Sequence, residues 1–211
     1  MNLLSWNCRG LGNAPTVQEL RELALKFAPR VLCILETQIS QERAESLAST
    51  VGYDSSFAVG STRRSGGLVL YWNNEIKVEI LGYSQYHIDV KVSDLGGTPW
   101  RLSCFYGEAQ THLRHRTWDT MKNLASLQSM SWACLGDFNE VLRYDEHDGV
   151  GQRSQTQIQG FIDAVDVCGL IDLGFQGQKW TFETKVTGGT YTRVRLDRAL
   201  GSGEWCAQFP L

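Results

Sequence analysis

Short apolar runs and helically spaced apolar residues alternate along the first quarter of the chain. Residues 2–6 and 31–35 are short, mostly apolar runs, and their length predicts strands. Between them a helix is predicted to open near Pro15 and to end at Pro29, and an amphipathic stretch over residues 41–49 predicts a second, short helix. The apolar face of the first helix consists of Val17, Leu20, Leu23, Ala24 and Phe27.

After Gly52 the pattern changes to repeated strands separated by turns that contain Gly or Asn. Strands are predicted over residues 68–72, 77–81, 87–92 and 100–106. Further helices are predicted over 112–127 and 158–168, and further strands over 132–135, 179–182 and 191–196. Helix and strand units on both sides of a run of strands are typical of sheets covered by helices. We therefore expect a layered α/β fold in a single domain, residues 1–211.

Composition narrows the class of protein. The chain has 211 residues, of which 42% are hydrophobic, so it is long enough to bury a core as one domain. Its net charge of −3 means that overall electrostatics give no support to nucleic-acid binding, and any DNA contact must come from local patches. The six cysteines show no C-x-x-C spacing, and no secretory signal or membrane-spanning run is visible. These features predict reduced thiols and an intracellular, non-membrane protein.

Short polar clusters follow several of the apolar runs. They place Asn7, Glu36, Tyr106, Asp137 and Asp197 at or near predicted strand ends. An amide, a phenol and three carboxylates delivered to one rim of a sheet are the groups that a metal-assisted hydrolase requires. The pattern therefore indicates phosphate-ester chemistry.

Each of these residues also has a purely structural interpretation. Asn7 precedes a glycine loop and is typical of a turn. Glu36 is equally compatible with capping the helix that follows it, and Tyr106 with an ordinary half-buried tyrosine. Asp197 is compatible with a surface ion pair to its flanking arginines.

The segment Gly136-Asp137-Phe138-Asn139 is a further candidate. Asp137 and Asn139 point the same way if the backbone stays extended through Phe138, and the alternative is an Asx turn after a strand. The chain lacks the His and Cys spacing of zinc sites and the glycine-rich loop of nucleotide-binding proteins. A hard cation held by a few oxygens fits better, and Mg²⁺ (or Mn²⁺) has this preference.

Taken in order, these motifs resemble the endonuclease/exonuclease/phosphatase superfamily. The amino-acid sequences of the first, fourth and last motifs are most similar to those of the apurinic-type endonuclease domain of plant LINE-type (non-LTR) retrotransposon polyproteins. The resemblance spans essentially the whole chain. The motifs are Trp6-Asn7 within Trp-Asn-Cys-Arg-Gly-Leu-Gly, Leu35-Glu36-Thr37, Phe105-Tyr106-Gly107, Gly136-Asp137-Phe138-Asn139, Trp180-Thr181-Phe182 and Arg195-Leu196-Asp197-Arg198-Ala199-Leu200.

The resemblance implies a four-layered α/β sandwich with the site at one end of two packed mixed sheets. It also implies roles for the site residues: Glu36 and Asn7 hold Mg²⁺, Asp137 orients or deprotonates the attacking water, and Tyr106 stabilises the pentavalent phosphate. Asn139 positions the water or the phosphate. Asp197 has the role of orienting a histidine.

That histidine belongs to a Ser-Asp-His motif that the resemblance puts after residue 210. None of the chain's four histidines stands in such a motif. Loss of a general acid or base costs about 10²-fold to 10⁴-fold in rate, so we expect a severely impaired enzyme. We also expect the last core strand to be missing, which leaves an unpaired edge in the sandwich.

Double-stranded DNA is the substrate that the resemblance implies, with a nuclear location, a monomeric state and no reverse transcriptase in this chain. The candidate DNA contacts are equally compatible with solvated surface residues. They are Arg9, Arg63, Arg64, Arg114, Arg116 and Trp180.

Three hypotheses for function follow. The first is a Mg²⁺-dependent phosphodiesterase that nicks DNA to leave a 3′-hydroxyl. The second is a catalytically inert remnant that keeps the fold and weak nucleic-acid binding. The third is a small-molecule or lipid phosphatase of the same superfamily.

Overall fold

Two mixed sheets form the centre of the protein. A computed structural model describes residues 2–62, 66–94, 96–127, 129–151, 153–185 and 191–210. The first sheet has four strands, in the order β1-β2-β4-β3. They are β1 (Leu3–Asn7), β2 (Val31–Leu35), β3 (Ser55–Val59) and β4 (Leu68–Trp72).

In the first sheet, β1 and β2 are parallel, whereas β4 is antiparallel to both of its neighbours. Asn7 lies opposite Leu35, so the ends of β1 and β2 deliver Asn7 and Glu36 to the same edge. Among the described residues, no strand pairs with the outer edge of β1.

The second sheet has six strands, in the order β10-β13-β8-β7-β6-β5. β7 and β8 are parallel, and the other neighbours are antiparallel. Tyr106 lies opposite Asp137, and Asp137 lies opposite Asp197. Its strands are β5 (Ile76–Ser84), β6 (His87–Asp94), β7 (Trp100–Tyr106), β8 (Trp132–Asp137), β10 (Leu170–Asp172) and β13 (Asp197–Ser202).

A small third sheet packs beside the site. It has the order β11-β12-β9, all antiparallel, and contains β9 (His147–Asp148), β11 (Phe182–Lys185) and β12 (Tyr191–Val194). The segment Thr181 to Phe182 leads into this sheet and reaches the start of β13, where the Thr181 hydroxyl accepts from the Leu196 and Asp197 amides.

Helices cover the outer faces of both large sheets. On the first sheet these are α1 (Ala14–Phe27), α2 (Gln41–Ser46) and α3 (Ala48–Val51), which pack on an apolar cluster that includes Leu20 and Ile34. On the second sheet these are α4 (His115–Leu127) and α5 (Gln155–Val167), which pack around Phe138 and Phe161. A short helix α6 (Gly203–Gln208) follows β13. A third apolar cluster lies between the sheets, so the predicted four-layered sandwich is confirmed.

Several predicted elements match the structure, and others differ. β2, β4 and β7 have the predicted bounds, and every residue of these strands is buried except the last of β4 and of β7, which is half-buried. The predicted strand over 179–182 is instead a bend that enters β11, and the prediction over 191–196 stops at Val194. β3, β10 and β13 were not predicted as strands. None of the described helices is long and apolar enough to cross a membrane, and all six cysteines are free thiols.

Candidate functional site

Strand register gathers the predicted site residues at one end of the sandwich. Asp137, at the end of β8, lies between Tyr106 at the end of β7 and Asp197 at the start of β13. Asn7 reaches the same point from the facing sheet, because its Nδ2 donates to Asp137 Oδ2 at 3.0 Å. The two sheets therefore meet through a direct hydrogen bond at this rim.

Asn7 has both of the roles considered from the sequence. Its Oδ1 accepts from the Arg9 backbone N–H at 3.2 Å, which is an Asx turn. The same amide group bonds Asp137 through its nitrogen. The turn therefore orients the Asn7 side chain towards the site rather than competing with that function.

Glu36 does not cap the following helix. Ser40 is the N-cap of α2, and its hydroxyl accepts from the Arg43 amide. Glu36 instead has a left-handed backbone, with φ of 57°, and its Oε1 accepts from Gln38 Nε2 at 3.0 Å. A non-glycine residue with positive φ is uncommon, and such residues occur preferentially at functional sites.

The Tyr106 hydroxyl lies near the Glu36 carboxylate. Burial raises the pKa of Tyr106 well above its usual range, and the charges of Glu36 and Asp137 raise it further. The phenol therefore stays protonated and remains a hydrogen-bond donor.

Asp137 and Asp197 form a pair of neighbouring carboxylates. Burial raises the pKa of Asp137, although hydrogen bonds from the Asn139 amide and from Asn7 oppose this shift. Burial, followed by the charge of Asp137, raises the pKa of Asp197 to about 6. Two adjacent carboxylates resist double ionisation, so the pair readily retains a proton.

The flanking arginines do not form the surface ion pair considered for Asp197. Arg195 bonds Glu146 at 2.7 Å and Asp172 at 2.9 Å. Arg198 bonds the same two carboxylates at 2.8 Å and 2.7 Å. Both guanidinium groups of residues 195–198 therefore pair with Glu146 and Asp172 in a buried ion network, and neither pairs with Asp197.

Asn139 departs from the expectation that it points the same way as Asp137. Its φ is 55°, so the backbone does not stay extended, and its N–H donates to Asp137 Oδ1 at 2.8 Å. The Asx-turn alternative is therefore what the structure contains. The Asn139 side chain donates instead to the Gly107 carbonyl at 2.8 Å and ties together the loops after β7 and β8.

A groove of about 480 Å³ opens beside these residues. Its lining includes Asn7, Arg9, Asp137, Asp197 and Phe182. The Arg9 guanidinium lies 4.9 Å from the centre of the Phe182 ring, and the charge of Arg9 lowers the pKa values of both aspartates. The groove therefore combines acidic groups with a cation held by an aromatic ring. None of the four histidines, all of which are described, lines it.

The donor set fits a hard divalent cation. Within the described ranges, no three His, Cys, Asp or Glu side chains form a dedicated metal cluster. The rim offers the Glu36 carboxylate and the Asn7 amide oxygen, with Asp137 one hydrogen bond away. Mg²⁺ typically binds one or two protein oxygens and keeps several waters, so this sparse set of oxygens suits it.

The other predicted DNA contacts do not gather at the groove. Arg114 is ion-paired to Glu140 at 2.8 Å, with 11% of its side chain exposed. Arg116 is exposed on α4. Trp180 is half-buried two residues before β11, with Lys179 Nζ and the Arg193 guanidinium over its ring at 5.0 and 5.6 Å. Arg63 and Arg64 lie outside the described residues.

The sequence motifs alone assign no role to two residues that contribute to the site, Gln38 and Thr181. Gln38 supports Glu36, and its position two residues after a carboxylate in a polar cluster was the available signal. The Thr181 hydroxyl accepts from the Asp197 backbone N–H at 3.0 Å, and Thr181 lowers the pKa of the Asp197 carboxyl against the effect of burial. Only its place within Trp180-Thr181-Phe182 marked it in the sequence.

Comparisons with known proteins agree with this architecture. A model of the Endonuclease/Exonuclease/phosphatase family matches residues 4–211, and no curated protein sequence matches the chain. Among solved structures, the endonuclease domain of TRAS1, a telomere-specific non-LTR retrotransposon, has a TM-score of 0.70 and 14% identity, covering 96% of this chain and 85% of that one. An AP endonuclease from Archaeoglobus fulgidus gives 0.73 and 11%, covering 97% and 87%.

A third solved structure was determined with nucleic acid. The 3′ phosphatase NExo from Neisseria, bound to product DNA hairpin, gives a TM-score of 0.68 and 14% identity, covering 98% of this chain and 88% of that one. At these identities the likeness to solved structures shows the fold alone.

Proposed function

Because the chain belongs to the endonuclease/exonuclease/phosphatase family, we propose that it is a metal-dependent phosphodiesterase that nicks double-stranded DNA. The observation that supports the proposal is that site residues from the two large sheets lie next to each other at one end of the sandwich. Asn7 of one sheet hydrogen-bonds Asp137 of the other, and the Glu36 carboxylate lies near the Tyr106 hydroxyl.

Each residue has a role that follows from its surroundings. Glu36 and Asn7 would hold Mg²⁺ or Mn²⁺, and the ion would supply positive charge to neutralise the phosphate. Asp137 has both oxygens fixed by donors, from Asn7 and from the Asn139 N–H, so it is oriented to accept a proton from the attacking water. The protonated Tyr106 donates a hydrogen bond to a phosphate oxygen in the transition state.

A DNA substrate is supported by the groove and by the neighbours. Arg9 presents its guanidinium beside the acidic groups without an ion pair to any described residue, so its donors suit a phosphate. The NExo neighbour binds a DNA hairpin, and TRAS1 is a retrotransposon endonuclease domain. A 3′-hydroxyl product, a monomeric state and a nuclear location are parts of this proposal.

We also infer a reduced rate. Asp197 is half-buried beside Asp137, and no histidine among the described residues lines the groove for it to orient. Without a general acid the leaving oxygen depends on solvent for its proton, which costs about 10²-fold to 10⁴-fold.

The test is nicking of supercoiled plasmid by the purified chain, with Mg²⁺ and with chelator. Glu36→Ala is the diagnostic variant, and Glu22→Ala on the exposed face of α1 is the matched control for loss of one negative charge. We expect metal-dependent nicking by the native chain and by Glu22→Ala, and none by Glu36→Ala. Equal nicking by all three chains contradicts the proposal.

The inert-remnant alternative has one supporting observation, the lack of a histidine in the groove. It predicts a folded chain that binds duplex DNA without nicking it in any metal. The phosphatase alternative predicts release of phosphate from a small phosphorylated substrate and no competition by duplex DNA. Strong inhibition by duplex DNA favours the endonuclease.

A further inference from the structure

A buried ion triad contacts the two loops that follow Tyr106 at the end of β7 and Asp137 at the end of β8. Glu140 bonds Arg114 at 2.8 Å through Oε2 and Arg153 at 3.2 Å through Oε1. Exposed fractions of the three side chains are 1% for Glu140, 11% for Arg114 and 13% for Arg153. One carboxylate thus pairs with two guanidinium groups in a setting from which water is mostly excluded, and the three side chains together carry one net positive charge. We call these residues the Glu140 triad.

Both arginines of the triad also hold backbone carbonyls of the site loops. Arg153 Nη1 donates to the Asn139 carbonyl at 2.9 Å. Arg114 Nη2 donates to the Ala109 carbonyl at 3.3 Å. Ala109 lies in the loop after β7, and Asn139 lies in the loop after β8. The carboxylate of Glu140 therefore joins the two loops through one arginine on each side.

The loops are in close contact at the residues between the triad and the site. The Gly107 N–H donates to the Asp137 carbonyl at 2.6 Å, and a Cβ on Gly107 would lie 2.6 Å from the Phe138 carbonyl oxygen. The Asn139 side chain donates back to the Gly107 carbonyl at 2.8 Å. Because the approach is this close, a small separation of the loops shifts Tyr106 relative to Asp137.

From these contacts we propose that the Glu140 triad is the positioning device that sets the spacing of Tyr106 and Asp137, a role that rests on the proposed phosphodiesterase function. Glu140 does not touch the groove, and it acts through the Ala109 and Asn139 carbonyls. Removing its charge leaves two buried guanidinium groups facing each other without a counter-charge. Their repulsion pushes the loops apart.

The first test is Glu140→Gln, which keeps the side-chain shape and removes the charge. We expect kcat for plasmid nicking to fall by about 10²-fold, the usual cost of displacing reacting groups by about 1 Å, with KM for DNA within about twofold. The matched control is Asp89→Asn, because Asp89 and Arg101 form a 2.8 Å ion pair with 2% of each side chain exposed, away from the groove. We expect Asp89→Asn to lose stability and to keep kcat at a temperature where the variant is folded.

A second variant separates positioning from plain stability. Arg114→Met, Glu140→Leu and Arg153→Met together replace the triad with apolar side chains, a change that often restores or raises stability. The chain then lacks both guanidinium bonds to the loop carbonyls. We expect the triple variant to be stable and to keep the low kcat. Recovery of kcat together with stability overturns the proposal.

Hydrogen exchange tests the positioning without any nuclease activity. The Gly107 and Asn139 N–H groups both donate to Asp137. We expect these two amides to exchange at least about 10-fold faster in Glu140→Gln and at the native rate in Asp89→Asn, under conditions where both are folded. Unchanged protection in Glu140→Gln overturns the proposal. Absence of nicking by the native chain, with the expected exchange pattern, overturns only the proposed function.

Discussion

Two sets of carboxylates lie on opposite sides of the start of β13, and they contrast in their partners. Glu146 and Asp172 each bond Arg195 and Arg198, and these contacts hold their pKa values below the ordinary range even though burial alone would raise them. Asp137 and Asp197 have no arginine within ion-pair distance in the described structure, and burial raises their pKa values.

The contrast shows that the arginine-paired carboxylates stabilise the fold, whereas the unpaired carboxylates are available for chemistry. Arginine pairing neutralises Glu146 and Asp172, so these residues connect the strands. The unpaired Asp137 and Asp197 destabilise the folded state at neutral pH, but their lone pairs remain available for a proton or a substrate. A carboxylate that is paired with arginine thus stabilises the fold, whereas an unpaired carboxylate remains available for chemistry.

The largest expected effect comes from making the same change in each set. Asp137→Asn removes the group that accepts the proton, so nicking should fall by about 10²-fold to 10⁴-fold, with stability unchanged or higher. Asp172→Asn should lower stability and leave kcat nearly unchanged. Plasmid nicking and urea unfolding on both variants check this. Equal losses of kcat would show that the two sets are not functionally distinct.

Glu146→Gln gives the next largest effect. The substitution leaves Arg195 and Arg198 buried with one carboxylate between them, and breaking a buried pair in this way costs about 3 to 5 kcal/mol. Urea unfolding measures the loss. Asp145→Asn is the control, because its ion pairs with Arg143 and Lys179 are exposed and should cost no more than about 1 kcal/mol.

The dependence of the unfolding free energy on pH, below about pH 6, should show a smaller effect than the Glu146→Gln substitution. The pKa values of Glu146 and Asp172 are lower in the folded state than their ordinary values of 4.5 and 3.8. Their stabilisation is therefore fully present above about pH 4.5 and is lost as the pH falls through the lowered values. Unfolding free energy measured from pH 6 downwards should fall steeply in the native chain and less steeply in the double variant Glu146→Gln, Asp172→Asn. Parallel curves would contradict the assignment.

Arg9→Ala should have the smallest effect. Arg9 is exposed and lies beside the unpaired aspartates, so its loss removes about one phosphate contact. DNA affinity should fall modestly, and the slope of log K against log salt should become shallower by about one. Arg21→Ala, on the exposed side of α1, is the charge-matched control. An identical salt slope in Arg9→Ala and the native chain would exclude Arg9 as a phosphate contact.

The sequence predicts the fold where local pattern and burial agree. β2 and β4 are continuous apolar runs, β7 is a mostly apolar run that contains Arg101 and Ser103, and all three have their predicted bounds. β13, with the sequence Asp-Arg-Ala-Leu-Gly-Ser, has little strand propensity of its own, and its pairing with β8 and β10 determines it. Tertiary pairing of this kind is not visible in a single segment.

In the candidate site, too, local sequence pattern predicts some features, and long-range contacts determine the others. Strand ends correctly predict that Asn7, Tyr106, Asp137 and Asp197 converge, because register fixes where a strand ends. Side-chain direction after a strand depends on the turn, so Asn139 differs from the extended prediction. Arg114 was a candidate DNA contact, and only the fold reveals that Glu140 holds it. The partner of a charged residue is a long-range property.

Four side-chain-bearing residues with left-handed backbone lie in the loops of the site: Arg9, Glu36, Gln38 and Asn139. Each such conformation costs of order 1 to 3 kcal/mol, and glycine at the same φ avoids most of that cost. Under selection for durability alone, replacement by glycine would therefore be favoured at these positions. Descendants of this chain that drift without a working site should gain glycine there first and melt at higher temperature, so a loss of activity in this lineage would be accompanied by a more robust fold.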